Sequence, residues 1–257
     1  MPGVDLWRSD LSKTRYLGLD LAWAPREGSA GAVIEASEDG IRLVSTTYLR
    51  AHEDVLGWVA RNRGRHGAIL GLNAPLIVEN TGGRRPVDEQ LEHHFGRYQV
   101  KEYTVNTVNS SHPRTMGRSL IRMGFDPDPQ SEGDRVVETC AQAAQVLLFG
   151  LERIIRTKSG PMGGRKDATN RYREQIYGRL PFLEPSLEDS DALEDLVNAD
   201  LGGMNGSRLG ELESKLDAVI SAYVAAFLDI RGPESSAFLG NLESGYVLLP
   251  TPSSSDE

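Results

Sequence analysis

The segment Tyr16-Leu-Gly-Leu-Asp-Leu-Ala-Trp23 sets a carboxylate, Asp20, inside a stretch otherwise suited to a core strand. An ionised carboxylate taken out of water is costly unless it is paired or bound to a cation. Two more acids keep similar company. Glu138 closes the apolar strand Arg135-Val-Val-Glu138, and Asp217 stands on an apolar helix one turn after Glu213, so those two can face the same way. Three or four acids at strand ends and on a packed helix make a reasonable cage for hard divalent cations. Magnesium and manganese prefer oxygen ligands, and a pair of such ions activates water and stabilises the leaving oxygen of a phosphodiester. Each acid also has a structural alternative: Asp20 capping a turn, Glu138 paired with an arginine, Asp217 solvated.

The rest of the pattern supplies elements to carry them. Residues 31–36 and 41–49 predict two strands around the Glu38-Asp39-Gly40 turn, which with residues 16–23 make a three-stranded meander. A helix is expected over 53–61, a buried strand over 68–73, and a helix from Pro86 to about Phe95. Further helices are expected over 113–123, 141–148, 168–177 and 189–200, with the clearest over 211–228. Residues 159–164 read as a mobile glycine-rich loop, 202–206 as a linker or tight turn, and 246–249 as a final strand. Strands first, then strands alternating with helices, predict an α/β mixed sheet covered by helices. One domain over residues 16–250 is expected, between a loose leader (1–15) and a disordered tail (251–257).

Composition narrows the setting. The chain has 257 residues, 39% hydrophobic and 25% charged, which excludes a mostly disordered chain. No apolar run approaches the roughly 18 residues of a membrane span, and the N-terminus lacks the layout of a secretory signal. With a single cysteine, Cys140, and no Cys/His pair at zinc spacing, a cytoplasmic protein is expected. His93, His94 and His112 have no ligand partners at useful spacing. The net charge of −9 is uneven: residues 184–257 hold 15 acids and 3 bases. Between Arg153 and Arg173 seven basic residues, Arg165 and Lys166 among them, face Asp167 alone, a segment that could meet a polyanion or form a solvated helix face. Arg84 and Arg85 precede a helix start at Pro86, where guanidinium and backbone N–H groups suit a phosphate unless Asp88 already satisfies that end.

Several stretches together resemble the predicted ribonuclease H-like nucleases grouped as domain of unknown function four hundred and twenty-nine. They are Leu17-Gly-Leu-Asp-Leu-Ala-Trp-Ala-Pro25, Ile69-Leu-Gly-Leu-Asn-Ala-Pro-Leu-Ile-Val78 and Thr81-Gly-Gly-Arg-Arg-Pro-Val-Asp88. Val137-Glu-Thr139, Ala144-Gln-Val-Leu-Leu-Phe-Gly-Leu151, Lys215-Leu-Asp-Ala-Val-Ile-Ser-Ala-Tyr-Val-Ala-Ala226 and Gly245-Tyr-Val-Leu-Leu-Pro250 follow in the family's order. The resemblance spans about Tyr16 to Pro250. It implies a ribonuclease H-like mixed sheet, with Asp20, Glu138 and Asp217 as catalytic metal ligands and Glu213 as a possible addition. Where the family has an aspartate before Ala-Pro, this chain has Asn73. An amide keeps one oxygen donor and loses the charge, so a second ion is held less firmly.

The expectation is a magnesium- or manganese-dependent nuclease with nucleic acid as partner. Arg84, Arg85, Arg165 and Lys166 would steer the substrate, and Asn73 would be a weakened fourth ligand. The alternative is a non-catalytic nucleic-acid or protein-binding module with a degraded metal site. Phosphoryl transfer on small molecules is a third class, against which stands the lack of a glycine-rich phosphate loop. Fold does not decide among them, and the sequence is silent on oligomeric state.

Overall fold

The structure is a computed structural model that describes residues 14–24, 27–64, 66–101 and 104–252. The leader expected over 1–15 and the tail expected over 251–257 lie outside the described residues, apart from two residues each. Strands β1 (Arg15–Asp20), β2 (Ser29–Ala36) and β3 (Ile41–Leu49) pair antiparallel in succession, as the meander requires. Helix α1 (His52–Asn62) then returns the chain to β4 (Ala68–Asn73), which lies parallel to β1. Strand β5 (Arg135–Glu138) adds parallel to β4, and the two-residue β6 (Leu187–Glu188) adds beside β3. The order is β5-β4-β1-β2-β3-β6, an α/β mixed sheet of antiparallel and parallel strands flanked by helices, as expected.

Among the described residues six more helices complete the layers: α2 (Pro86–Phe95), α3 (Ser111–Arg122), α4 (Ala141–Phe149), α5 (Met162–Arg179), α6 (Asp191–Val197) and α7 (Gly206–Arg231). Two begin a turn or more earlier than the sequence pattern suggests. Helix α7 starts at Gly206, inside the expected linker, because the Asn205 side chain accepts the Arg208 N–H and caps it. Helix α5 starts at Met162 and takes in Gly163 and Gly164, which were expected to lie in a mobile loop. Glycine costs about 1 kcal/mol in a helix; burial of Ala168, Thr169, Tyr172 and Ile176 offsets it. The last expected strand, β8 (Gly245–Pro250), is fully buried but pairs with β7 (Ser236–Asn241) in a hairpin of its own. Strand β7 is only partly buried, so it lacks the apolar run that would have announced it. No helix among the described residues is long and apolar enough to cross a membrane.

Helix α7 crosses β1, β2 and β4 on one face of the sheet, burying Leu216, Val219, Ile220, Tyr223, Val224 and Phe227. On the other face Trp58 of α1 lies over Gly31. The α7 contact is unusually close. A Cβ on Gly18 would stand 1.9 Å from the Ala218 carbonyl oxygen, and one on Gly71 would stand 2.0 Å from that of Ser221. Only glycine lets the helix backbone rest there. Gly71→Ala is expected to destabilise the protein by about 1–3 kcal/mol through overpacking. Gly163→Ala, with nothing within 4 Å of the new methyl group, should leave stability unchanged or slightly raised; urea denaturation midpoints test the contrast.

Candidate active site

Strand register decides which acids can meet. Asp20 stands level with Asn73 across the parallel β1–β4 pair, and Leu72 stands level with Glu138 across β4–β5. All three strands stop at their carboxyl ends on one edge, where α/β sheets hold ligands. Side chains alternate between faces. Asp20 and Asn73 therefore share the face of Gly18 and Gly71, beneath α7, whereas Glu138 shares the opposite face with Leu72. Asp217 is delivered to the first face because it directly precedes Ala218, whose carbonyl lies against Gly18.

On that face five polar side chains, Asp20, Asn73, Lys158, Tyr172 and Asp217, form one cluster. Asn73 Nδ2 donates to Asp20 Oδ1 at 2.7 Å, while Asn73 Oδ1 accepts the Ala141 N–H at 3.0 Å. Lys158 Nζ lies 2.8 Å from Asp20 Oδ2 and 2.8 Å from Asp217 Oδ2. Tyr172 donates its hydroxyl to Asp217 Oδ1 at 2.9 Å. Every oxygen of the two acids thus has a partner, and their Oδ2 atoms converge on a single cation position. Burial pulls the Lys158 ammonium down, but Asp20 and Asp217 outweigh it and hold the group protonated well above the usual lysine range. Burial pushes the Asp217 carboxyl up against the pull of Lys158, and burial with the Asp217 charge raises the Tyr172 phenol well above its usual value.

On the other face Glu138 takes its arginine alternative. Arg85 Nη2 donates to Glu138 Oε1 at 2.7 Å and Nη1 to Oε2 at 2.9 Å, and the Leu76 N–H reaches Oε2 at 2.7 Å. The same guanidinium bonds Asp88 at 2.8 Å and the Ile77 carbonyl at 3.0 Å, with its side chain only 2% exposed. Arg85 is thus an internal strut tying β5 to the start of α2. Asp88 accepts the Arg85 N–H at 3.0 Å, so this helix end is already supplied with an acid. Arg84 bonds the Glu92 carboxylate and the Asp88 carbonyl.

The cationic segment is divided. Arg165 Nη2 donates to the fully buried Glu213 at 2.5 Å and its Nε to the Thr157 carbonyl at 3.0 Å, tying α5 to α7. Lys166 bonds the Gly202 carbonyl at 2.8 Å. Arg173 is buried against Ala199, and Arg153, Arg171 and Arg179 line a separate cavity with Glu152 and Glu174. These bases do not form one continuous track.

Both carboxylate groups open on a cavity of about 460 Å³, within the range of small-ligand sites, with Trp23, Tyr48, Leu91, Val100 and Val247 on its walls. Its acids are Asp20, Glu27, Asp88, Glu92, Glu138, Glu213 and Asp217; its described bases are Arg85, Lys101, Lys158 and Arg165. The excess of acid means that a phosphate enters favourably only with additional positive charge. Burial pushes the Cys140 thiol up to about 11, so this wall residue is no thiolate nucleophile at neutral pH.

Among the described residues no three His, Cys, Asp or Glu side chains are grouped to hold a metal ion. The donors fit one hard cation and not two. Asp20 Oδ2 and Asp217 Oδ2 already converge on a cation, and magnesium is commonly held by one or two carboxylates with the remaining places left to water and phosphate. Asn73 turns its NH₂ toward Asp20 and its oxygen toward Ala141, Glu138 is consumed by Arg85, and Glu213 by Arg165. The structure therefore brings Asp20, Asn73 and Asp217 of the expected ligand set into direct contact through one cluster, while Glu138 and Glu213, on the walls of the same cavity, are each held by an arginine instead. Sequence reasoning missed Lys158 and Tyr172. The only signals were a lysine at the edge of a glycine-rich turn and an aromatic residue on the helix after it.

No family model matches the chain, and neither does any curated protein. Among solved structures it is similar to the human cytomegalovirus terminase nuclease domain, manganese-soaked, at 12% identity and a TM-score of 0.31, over 86% of this chain and 92% of that one. A second structure of that domain matches at 11% identity and a TM-score of 0.31, over 86% of this chain and 93% of the other.

Two expectations follow from the site's charges. Arg85→Met leaves Glu138 and Asp88 buried without their cation and should cost about 3–5 kcal/mol in urea denaturation; Arg84→Met should cost far less. Cys140 should alkylate much more slowly than a free cysteine between pH 7 and 9, because its thiolate fraction becomes large only near pH 11; iodoacetamide labelling followed by mass spectrometry reads this directly.

Proposed function

We propose that this chain is a divalent-cation-dependent phosphodiester hydrolase acting on nucleic acid, with residues 16–250 working as one domain. The observation that carries it is the convergence of Asp20 Oδ2 and Asp217 Oδ2 on one cation position, each 2.8 Å from Lys158 Nζ, in a cavity with more acids than bases. Asp20 and Asp217 would hold one magnesium or manganese ion. Such an ion supplies Lewis-acid activation of water and of the phosphoryl group. Everything else falls to the chain itself. Asn73 orients Asp20, Tyr172 orients Asp217, and Arg165 holds Glu213 and with it the seat of α5 on α7. The apolar walls limit water around the carboxylates. Glu138, assigned to the ligand set by resemblance, acts in this proposal as a positioning residue through Arg85 and Leu76.

The alternative, a module that binds without cleaving, is favoured by one observation. The Asn73 amide and the Lys158 ammonium satisfy Asp20 internally, leaving the acid with no need of a metal. Fluorescent single- and double-stranded DNA and RNA oligonucleotides with manganese separate the two. Slow cleavage is expected, abolished by chelator and reduced on the order of 100-fold or more in Asp20→Asn and Asp217→Asn. Asn73→Asp should raise it by restoring a charge near the ion. If neither the native chain nor Asn73→Asp cleaves while Asp20→Asn still binds the oligonucleotides, the protein is a binding module.

A further inference from the structure

We infer that Lys158 is a built-in competitor for the divalent cation, so that metal loading at Asp20 and Asp217 requires withdrawal of its ammonium group. This rests on the site proposed above and adds to it the residue that sets its cation affinity. The ammonium stands 2.8 Å from the Oδ2 atom of each acid, the very atoms free to face an ion, because Asn73 and Tyr172 hold the two Oδ1 atoms. One position cannot hold both cations.

The asymmetry of burial says which partner moves. The Asp20 and Asp217 side chains are 10% and 9% exposed and fixed by their neighbours, whereas that of Lys158 is 44% exposed. The backbone just before it is anchored, since Thr157 is buried and its carbonyl accepts from Arg165, itself held by Glu213. Ser159, Gly160 and Pro161 beyond it are exposed. Rotation about the flexible four-carbon stem of Lys158 therefore takes the ammonium to solvent with the backbone unmoved. Leaving the two acids bare would place like charges together in a buried site, so departure is favourable only as another cation arrives. The site is thus an exchange position: its two acids bridged by lysine in the metal-free fold, and opened to metal only by displacement.

Manganese binding, followed by electron paramagnetic resonance of the free ion without any substrate, tests this. Lys158→Met should bind manganese at least about 10-fold tighter than the native chain. Lys158→Met combined with Asp217→Asn should lose that gain. Should Lys158→Met prove unfolded without metal, restoration of its circular dichroism by manganese supports the exchange, and failure to restore it counts against it. Equal or weaker manganese affinity in a folded Lys158→Met overturns the proposal. The hydrolase reading fails separately: a tightened Lys158→Met with no cleavage by any variant leaves the exchange standing, while cleavage with unchanged affinity removes the exchange alone.

Discussion

Helix α7 meets the sheet backbone to backbone at Gly18 and Gly71, where even a methyl group would fall within about 2 Å of a helix carbonyl. That approach fixes the helix in depth and in register, since Ala218 and Ser221 must seat over those two glycines. Asp217 immediately precedes Ala218, and Asp20 lies two residues after Gly18 on the same face. The two acids are thus brought together by packing among residues that carry no chemistry. An interior packed at crystal-like density gives such a contact little room to slide, so the positions of both carboxylates follow from it.

Bringing acids together in a buried place creates an electrostatic problem that the chain solves three times. Lys158 serves Asp20 and Asp217, Arg85 serves Glu138 and Asp88, and Arg165 serves Glu213. The choice of cation differs with the task. Arginine, planar and with paired donors, forms the struts, buried at Arg85 and largely covered at Arg165, while the cation of these three clusters that reaches in from solvent is a lysine with a compact, mobile charge. Buried ion pairs add little net stability, but the loss of one member is severe. The two arginine clusters therefore behave as fixed joints of the fold, and the lysine cluster is the one with a way out.

The limits of legibility follow the same physics. Asp20 could be singled out from sequence because a carboxylate between leucines in a strand demands a partner wherever that strand lies. The meander, the parallel strands and α7 were legible from local alternation and helical spacing. The starts of α5 and α7 were not, since buried side chains later in α5 and an asparagine cap on α7 outweighed the glycines. Strand β7 escaped notice because its burial is too shallow to leave an apolar run.

The sequence by itself determined which residues had to be satisfied: acids set in apolar surroundings, bases clustered between Arg153 and Arg173, an amide at Asn73. Only the tertiary structure decided who satisfies whom. Glu138 fell away from Asp20 because the strand pairing sets it level with Leu72 rather than Asn73, and a shift of one residue sends a side chain to the opposite face. Lys158 reached Asp20 from 138 residues away. A lysine in a basic stretch has the same local pattern whether it is solvated or turned inward, because the carboxylates that draw it in belong to distant elements that folding brings beside it.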